Sequence, residues 1–398
     1  MVLSLLSQRQ EKLFFMENIL LFMEIEIDTP DKFHFKIPSL DLEYVFSIQV
    51  LEKYLLEKSP VLNVDVSTYN WECPNLIDYN VQITSINQAL HSIFKSITNG
   101  HNNPGVNALK VLFYFLSGII SSTNVKLNPL CIYVETDLEM GAGTGSSASF
   151  CVALVATIIQ YLKLRSVDLN NVSRNGFKFF SWTKQEIQHK KTFSQRQLEN
   201  ISNWAYSGEK TFHGMPSGLD NTICTYGNIV KFRKNEKPTV LKLSNTLFDV
   251  LLINTRVSRE TSKLVAHVAN RREIFPALVN HILEAMEDLT NRAADTITKI
   301  DNCSSANRLN YFHDLETLVQ MNHGLLCALG VSHQKLEEVV MVLEKHGIKG
   351  KLTGAGGGGF AIALLPAGYD AGEVIQKLKE LDFGVICTRL GGDGVKVE

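Results

Sequence analysis

The sequence predicts an α+β fold in two domains, residues 1–240 and 241–398, from three observations. A strand-like run at 129–138 enters a glycine loop that opens an apolar helix (EMGAGTGSSASFCVAL, 139–154). A charged stretch, RKNEKP at 233–238, has the composition of a surface linker. Beyond it come several amphipathic helices, then strand, glycine run, strand, helix and strand, the order of a second α+β layer.

Each element has a local reason. Residues 33–42 (FHFKIPSLDL) alternate as a strand does, and Pro38 predicts a bend because it cannot donate to a sheet ladder. Residues 85–97 and 105–120 carry apolar side chains at helical spacing, separated by the turn-rich NGHNNPG. After the glycine loop, Ala148, Cys151, Val152, Val155, Ile158, Ile159 and Leu162 share one helical face. Leu198, Ile201, Trp204, Ala205 and Gly208 repeat likewise, with Ser194 placed to cap the helix. Residues 208–221 (GEKTFHGMPSGLDN) read as a Gly/Pro loop, and 222–232 as a hairpin turning at Tyr226–Asn228. In the second half, 351–353 and FAIALL are strands, 370–381 a helix and 384–390 a last strand.

Composition removes several function classes. With 398 residues the chain can bury more than one core, and its net charge of −2 offers no basic excess for nucleic acid or an anionic membrane. LFFMENILLFM at 13–23 is apolar but contains Glu17 and Asn18 and is too short to span a bilayer. The seven cysteines are scattered, odd in number and without a CxxC pair, which suits reduced thiols. A cytoplasmic protein is expected.

Glycines opening a helix expose consecutive backbone N–H groups beside the positive end of its dipole, a setting for phosphate. The loop is neither of two familiar phosphate motifs. A Walker loop needs lysine after its last glycine, where Ser146 and Ser147 stand, and a dinucleotide fingerprint needs glycine at position 146. By itself the loop is as compatible with close packing as with phosphate. TGAGGGGF at 353–360 joins two strands, so a backbone nest or a tight chain crossing is expected there. Glu209 and Asp220, eleven positions apart across a loop with Pro216 and Gly218, could supply a metal ligand and a base.

Together, EMGAGTGSSAS, HGMPSGLDN preceded by GEK, NTRVSRETSKLVAHV (254–268) and KLTGAGGGGF (351–360) resemble the GHMP kinases. The catalytic stretch is most similar to the branch of that family that acts on mevalonate. The resemblance runs from about Asp31 to the C-terminus and implies a ribosomal-protein-S5-like N-terminal ATP-binding domain and a ferredoxin-like C-terminal domain. It further implies a homodimer and transfer of the γ-phosphoryl of ATP to the 5-hydroxyl of mevalonate. Other small alcohols or sugars, and a catalytically dead nucleotide-binding fold or dimer partner, are the alternatives. By position, Ser147 and Glu209 correspond to Mg²⁺ ligands and Asp220 to the general base. Gly141, Ala142, Gly143, Thr144, Gly145, Ser146 and Ser147 correspond to the ATP phosphate loop, with Thr136 a nucleotide contact upstream. Three positions depart mildly: Met140 stands for proline, Thr144 for leucine and Ser149 for alanine.

Residues 1–30 depart more. The family's P-G-K-V-I-L-x-G-E-H-x-V stretch, whose lysine reaches the reacting centre, has no counterpart; Lys12 lacks the Gly-Glu-His that should follow. A free carboxylate titrates near ~4 and an alcohol far higher, so deprotonation unaided by a cation is steeply uphill. Losing one preorganised donor of this kind costs about 3–4 kcal/mol, or 10²–10³ in rate, so impaired turnover is expected.

Overall fold

The computed structural model describes residues 11–14, 19–24, 31–60, 73–94, 104–121, 123, 126–136, 145–172, 193–233, 236, 238–243, 248–258 and 260–397. They form two compact units. The first comprises Asn18–Met140, Gly145–Thr225 and Val395–Glu398; the second comprises Met1–Glu17, Gly141–Thr144 and Tyr226–Gly394.

Strand β1 is Glu11–Phe14, β2 Ile19–Glu24, β3 Lys32–Ile37, β4 Leu42–Ser47 and β5 Leu130–Thr136. The first unit's sheet has the order β2-β5-β3-β4, with β3 parallel to β5 and the other pairs antiparallel. Phe33, Phe35 and Ile37 alternate into the core, and the chain turns at Pro38–Leu40 through a left-handed Asp41, where the interrupted alternation predicts a bend. Helix α1 (Ile48–Leu51) runs into one π turn. Helices α2 (Tyr79–Ile93), α3 (Pro104–Phe115), α4 (Ser146–Val172), α5 (Gln195–His213) and α6 (Leu219–Tyr226) complete the unit.

Two expectations are corrected here. Helix α5 does not stop at Gly208 but continues to His213, so the loop shrinks to 214–218. The first arm of the expected hairpin is α6, within which Thr222 and Thr225 donate their hydroxyls to the carbonyls of Gly218 and Asn221 at 2.6 and 2.7 Å. Bonds of this kind absorb the threonine hydroxyls within the helix, where local propensity favours a strand. The helix expected at 85–97 begins earlier, at Tyr79, where Asp78 accepts from the N–H groups of Asn80 and Val81. Ser194 caps α5 as expected, in a reciprocal capping box with Gln197.

The core joining these elements is aromatic. Trp204 of α5 lies edge-on to Tyr114 and Phe115 of α3, with its Nε1 donating to the carbonyl of Pro74 at 3.0 Å. Helix α4 is long and apolar enough over Ser146–Lys163 to cross a membrane, but 67% of that window is buried inside the protein, as a core helix would be.

In the second unit, β6 (Ile229–Arg233) pairs with both β1 and β7 (Thr239–Leu241). Strands β8 (Phe248–Asn254), β9 (Gly350–Leu352), β10 (Phe360–Leu364) and β11 (Gly384–Leu390) form an antiparallel sheet of order β11-β8-β10-β9. Counted within this sheet that order is 4-1-3-2, the ferredoxin-like arrangement the resemblance implied. Helices α7 (Thr261–Ile274), α8 (Pro276–Asn302), α9 (Ser305–Ala328) and α10 (Gln334–Lys345) separate β8 from β9. Helix α11 (Gly372–Glu380) separates β10 from β11.

The glycine run joins neighbouring strands β9 and β10. Gly356, Gly357, Gly358 and Gly359 all have positive φ, and a Cβ on Gly356 would stand 1.9 Å from the carbonyl oxygen of Val331. Backbone N–H groups of Gly357 and Gly359 donate to the carbonyls of Val331 and Val257 at 2.8 and 3.0 Å. Chain therefore crosses chain at a separation only glycine permits.

Candidate active site

Helix α4 begins at Ser146, just after Gly145 takes a left-handed turn (φ 76°). Its first N–H groups have no intrahelical acceptor and, with the helix dipole, make a positive end. Ser147 sits in that first turn with its Oγ 2.9 Å from Nε2 of His213. Thr136 is half-buried at the end of β5. Gly141, Ala142, Gly143 and Thr144 lie outside the described residues.

Glu209 and His213 are four residues apart on α5 and therefore share a face one turn apart. Glu209 is only 3% exposed. Burial pushes its pKa from an ordinary 4.5 up to about 8, and the nearby charge of Asp220 pushes in the same direction. What makes the depth possible is Gly208. A Cβ there would stand 2.3 Å from the ring of Phe115 and 3.3 Å from the sulfur of Cys151, so α5 approaches α3 and α4 only because the side chain is missing.

Asp220 occupies the first turn of α6 and is half-buried. Gly214 and Gly218, both with positive φ, turn the chain back from α5. Asn221 then ties α6 to α5, its Nδ2 donating to both the carbonyl and the hydroxyl of Ser202 at 2.9 Å. Ser149 ties α4 to α6. Its Oγ donates to the Gly145 carbonyl at 3.1 Å and lies 3.2 Å from the sulfur of Cys224. Three helices are thus pinned pairwise around Ser147, Glu209 and Asp220, which the sequence places up to 73 positions apart (147 to 220).

Burial disfavours the thiolate form of the two nearby cysteines. Burial pushes Cys224 up to about 12 despite its bond to Ser149, with Asp220 and Glu209 adding to the rise. Burial and Glu209 raise Cys151 well above its ordinary value.

Two carboxylates and a serine hydroxyl are hard oxygen donors, the set that suits a magnesium-like cation. The state of Glu209 agrees with that fit: a carboxylate buried beside a second acid is one whose ionised form a cation would stabilise. Sequence reasoning named Ser147, Glu209 and Asp220 but missed His213, Ser149, Asn221 and the packing role of Gly208. One signal was available. Extending α5 by a turn would have put His213 at i+4 from Glu209.

Similarity to known proteins runs in the same direction. The profile "GHMP kinases N terminal domain" matches residues 108–178, and "GHMP kinases C terminal" matches 305–382. The chain is 34% identical to the mevalonate kinase of Arabidopsis thaliana over 274 residues, 69% of this chain and 66% of the relative. It is 34% identical to that of Homo sapiens over 292 residues, covering 73% and 68%. With Aspergillus fumigatus mevalonate kinase erg12 the identity is 37% over 281 residues, covering 68% and 48%. The chain therefore spans between about half and two thirds of the length of these curated relatives. Among solved structures, L. major mevalonate kinase in complex with R-mevalonate superposes with a TM-score of 0.53 at 22% identity, covering 73% of this chain and 78% of that one. Streptococcus pneumoniae phosphomevalonate kinase, in complex with phosphomevalonate and AMPPNP, gives 0.52 at 13% identity, covering 96% and 93%. At these identities the two structures bear on the fold.

Proposed function

This chain belongs to the GHMP kinase family, in its mevalonate kinase branch, and from that premise we propose that it transfers the γ-phosphoryl of ATP to the primary 5-hydroxyl of mevalonate. The observation that carries the reading is the gathering of Glu209 and Asp220 on helices pinned to the one whose amino end bears Ser147.

In this reading the segment from Gly141 to Ser147 wraps the ATP phosphates, with backbone N–H groups and the α4 dipole facing the anionic oxygens. Thr136 contacts the nucleotide upstream. Ser147 and Glu209 hold Mg²⁺, which when bound neutralises phosphate charge. Asp220 accepts the proton of the mevalonate hydroxyl as its oxygen bonds to the γ-phosphorus and the bond from that phosphorus to the ADP oxygen breaks. Residues 1–240 form the ATP-binding domain and 241–398 the C-terminal domain of a cytoplasmic homodimer.

The test is mevalonate-dependent ADP release, with galactose and homoserine as competing acceptors. Asp220→Asn should lower kcat by about 10²-fold or more while leaving Mg·ATP affinity within a few-fold. Undiminished turnover would remove Asp220 from the chemistry, and turnover with another acceptor alone would remove mevalonate. The Ser147→Ala, Glu209→Ala double variant should lose the magnesium dependence of nucleotide binding. Unchanged metal-dependent affinity, measured by titration calorimetry, would dismiss that pair as the metal site.

A further inference from the structure

The second unit contains a cavity of about 110 Å³ between α8, α9 and the face of the β8–β11 sheet. Its walls are mostly hydrocarbon, from Phe248, Ile297, Leu315, Leu318, Ile362 and Leu364. Two lining residues are out of character. Lys351 of β9 is 7% exposed, gives its Nζ to the carbonyl of Leu352 at 2.7 Å, and is ion-paired with no carboxylate among the described residues. Asn322 of α9 is 2% exposed, and its Oδ1 has no hydrogen-bond partner among the described residues.

Neither is what packing alone would select. A lysine buried for structure is ordinarily paired, since an isolated ammonium in hydrocarbon is expensive. Burial here pulls Lys351 from 10.5 down to about 7. A buried amide oxygen without a donor forfeits the water it left behind. Leucine or methionine at both positions would have filled the space at less cost. The pair makes sense if something else enters. An anionic group would give Lys351 its missing counter-charge. Asn322 could turn its amide over and present Nδ2 to that group, a rotation that breaks no bond its Oδ1 now makes. The remaining walls are mainly hydrocarbon, the hydroxyls of Thr290 and Thr353 already donating to the carbonyls of Met286 and Phe360. The volume is somewhat below the roughly 150 Å³ that takes up benzene, which limits the tail to about four to six carbons.

We propose that this cavity binds a small amphipathic anion, its carboxylate or phosphate head on Lys351 and its short hydrocarbon tail against the apolar walls. The site lies wholly in the second unit, apart from Ser147, Glu209 and Asp220, and does not depend on the kinase reading.

Titration calorimetry of the full chain with hexanoate, hexyl phosphate, hexanol and inorganic phosphate tests it. At least one six-carbon anion should bind ten times more tightly than hexanol; whichever anion does so identifies the head group. Lys351→Met should lower that anion's affinity at least tenfold and leave hexanol unchanged. Ala293→Leu, which narrows the cavity, should weaken every six-carbon probe. Hexanol matching both anions, undiminished anion binding by Lys351→Met, or inorganic phosphate binding as tightly as hexyl phosphate would overturn the proposal, as would no binding by any probe. Should Lys351→Met fail to fold, the comparison of the anions with hexanol on the parent chain decides alone.

Discussion

Burial beside a second acid favours the protonated form of a carboxyl, and Glu209 is in that position. Because its folded pKa, about 8, lies above the ordinary 4.5, Glu209 contributes stability fully below about 4.5, and the contribution is lost as pH rises through 8. Glu209→Gln should therefore unfold at the same temperature as the parent near pH 5, and at a temperature higher by ~5 °C or more near pH 9, both without magnesium. Equal midpoints at both pH values would mean that Glu209 is already ionised and satisfied. At this scale the sequence was readable where a motif marked the residue, as for Ser147, Glu209 and Asp220. It was silent on Ser149 and Asn221, whose hydrogen bonds reach Cys224 and Ser202 on elements no local pattern connects.

The contested element is α5. Gly208 and Pro216 look like breakers, and a reader of local propensity stops the helix at the first of them. The structure shows a different reason for the glycine: Phe115 and Cys151 occupy the space its side chain would need. Gly208→Ala should thus defy helix propensity. Instead of the roughly 1 kcal/mol gain expected of Gly→Ala within a helix, it should destabilise the protein by about 1–3 kcal/mol and weaken magnesium-dependent nucleotide binding by displacing Glu209. Denaturant unfolding with a parallel nucleotide titration checks both, and a net gain in stability would show that α3 and α4 can yield. Strands with clean alternation, such as β3, were legible for the opposite reason. Their pattern is local, and the bend at Pro38 falls where an N–H is lacking.

For the molecule as a whole, the α+β class followed from the succession of elements, while the ferredoxin-like order of β8–β11 was an expectation of the family resemblance alone. The distribution of the chain between units followed from neither. Nothing in residues 11–14 announces that β1 pairs with β6 more than 200 positions later, since ladder partners that distant leave no local signal. Lys12 lies in that strand opposite Phe232. Adding the family's P-G-K-V-I-L-x-G-E-H-x-V stretch to the amino terminus should raise mevalonate-dependent ADP release by at least about 10²-fold. Identical rates with and without it would mean that another group stabilises the developing charge.

The interleaving of the two units also bears on biosynthesis. Both units take in residues numbered below 25 and residues beyond 390, so neither is complete before the chain past 390 has been made. The emerging β1 must stay unpaired until β6 has been translated, some ten seconds or more at ordinary elongation rates of about 5–20 residues per second. During that interval it is an unpaired segment with its backbone groups open, the kind of surface a holdase chaperone would shield.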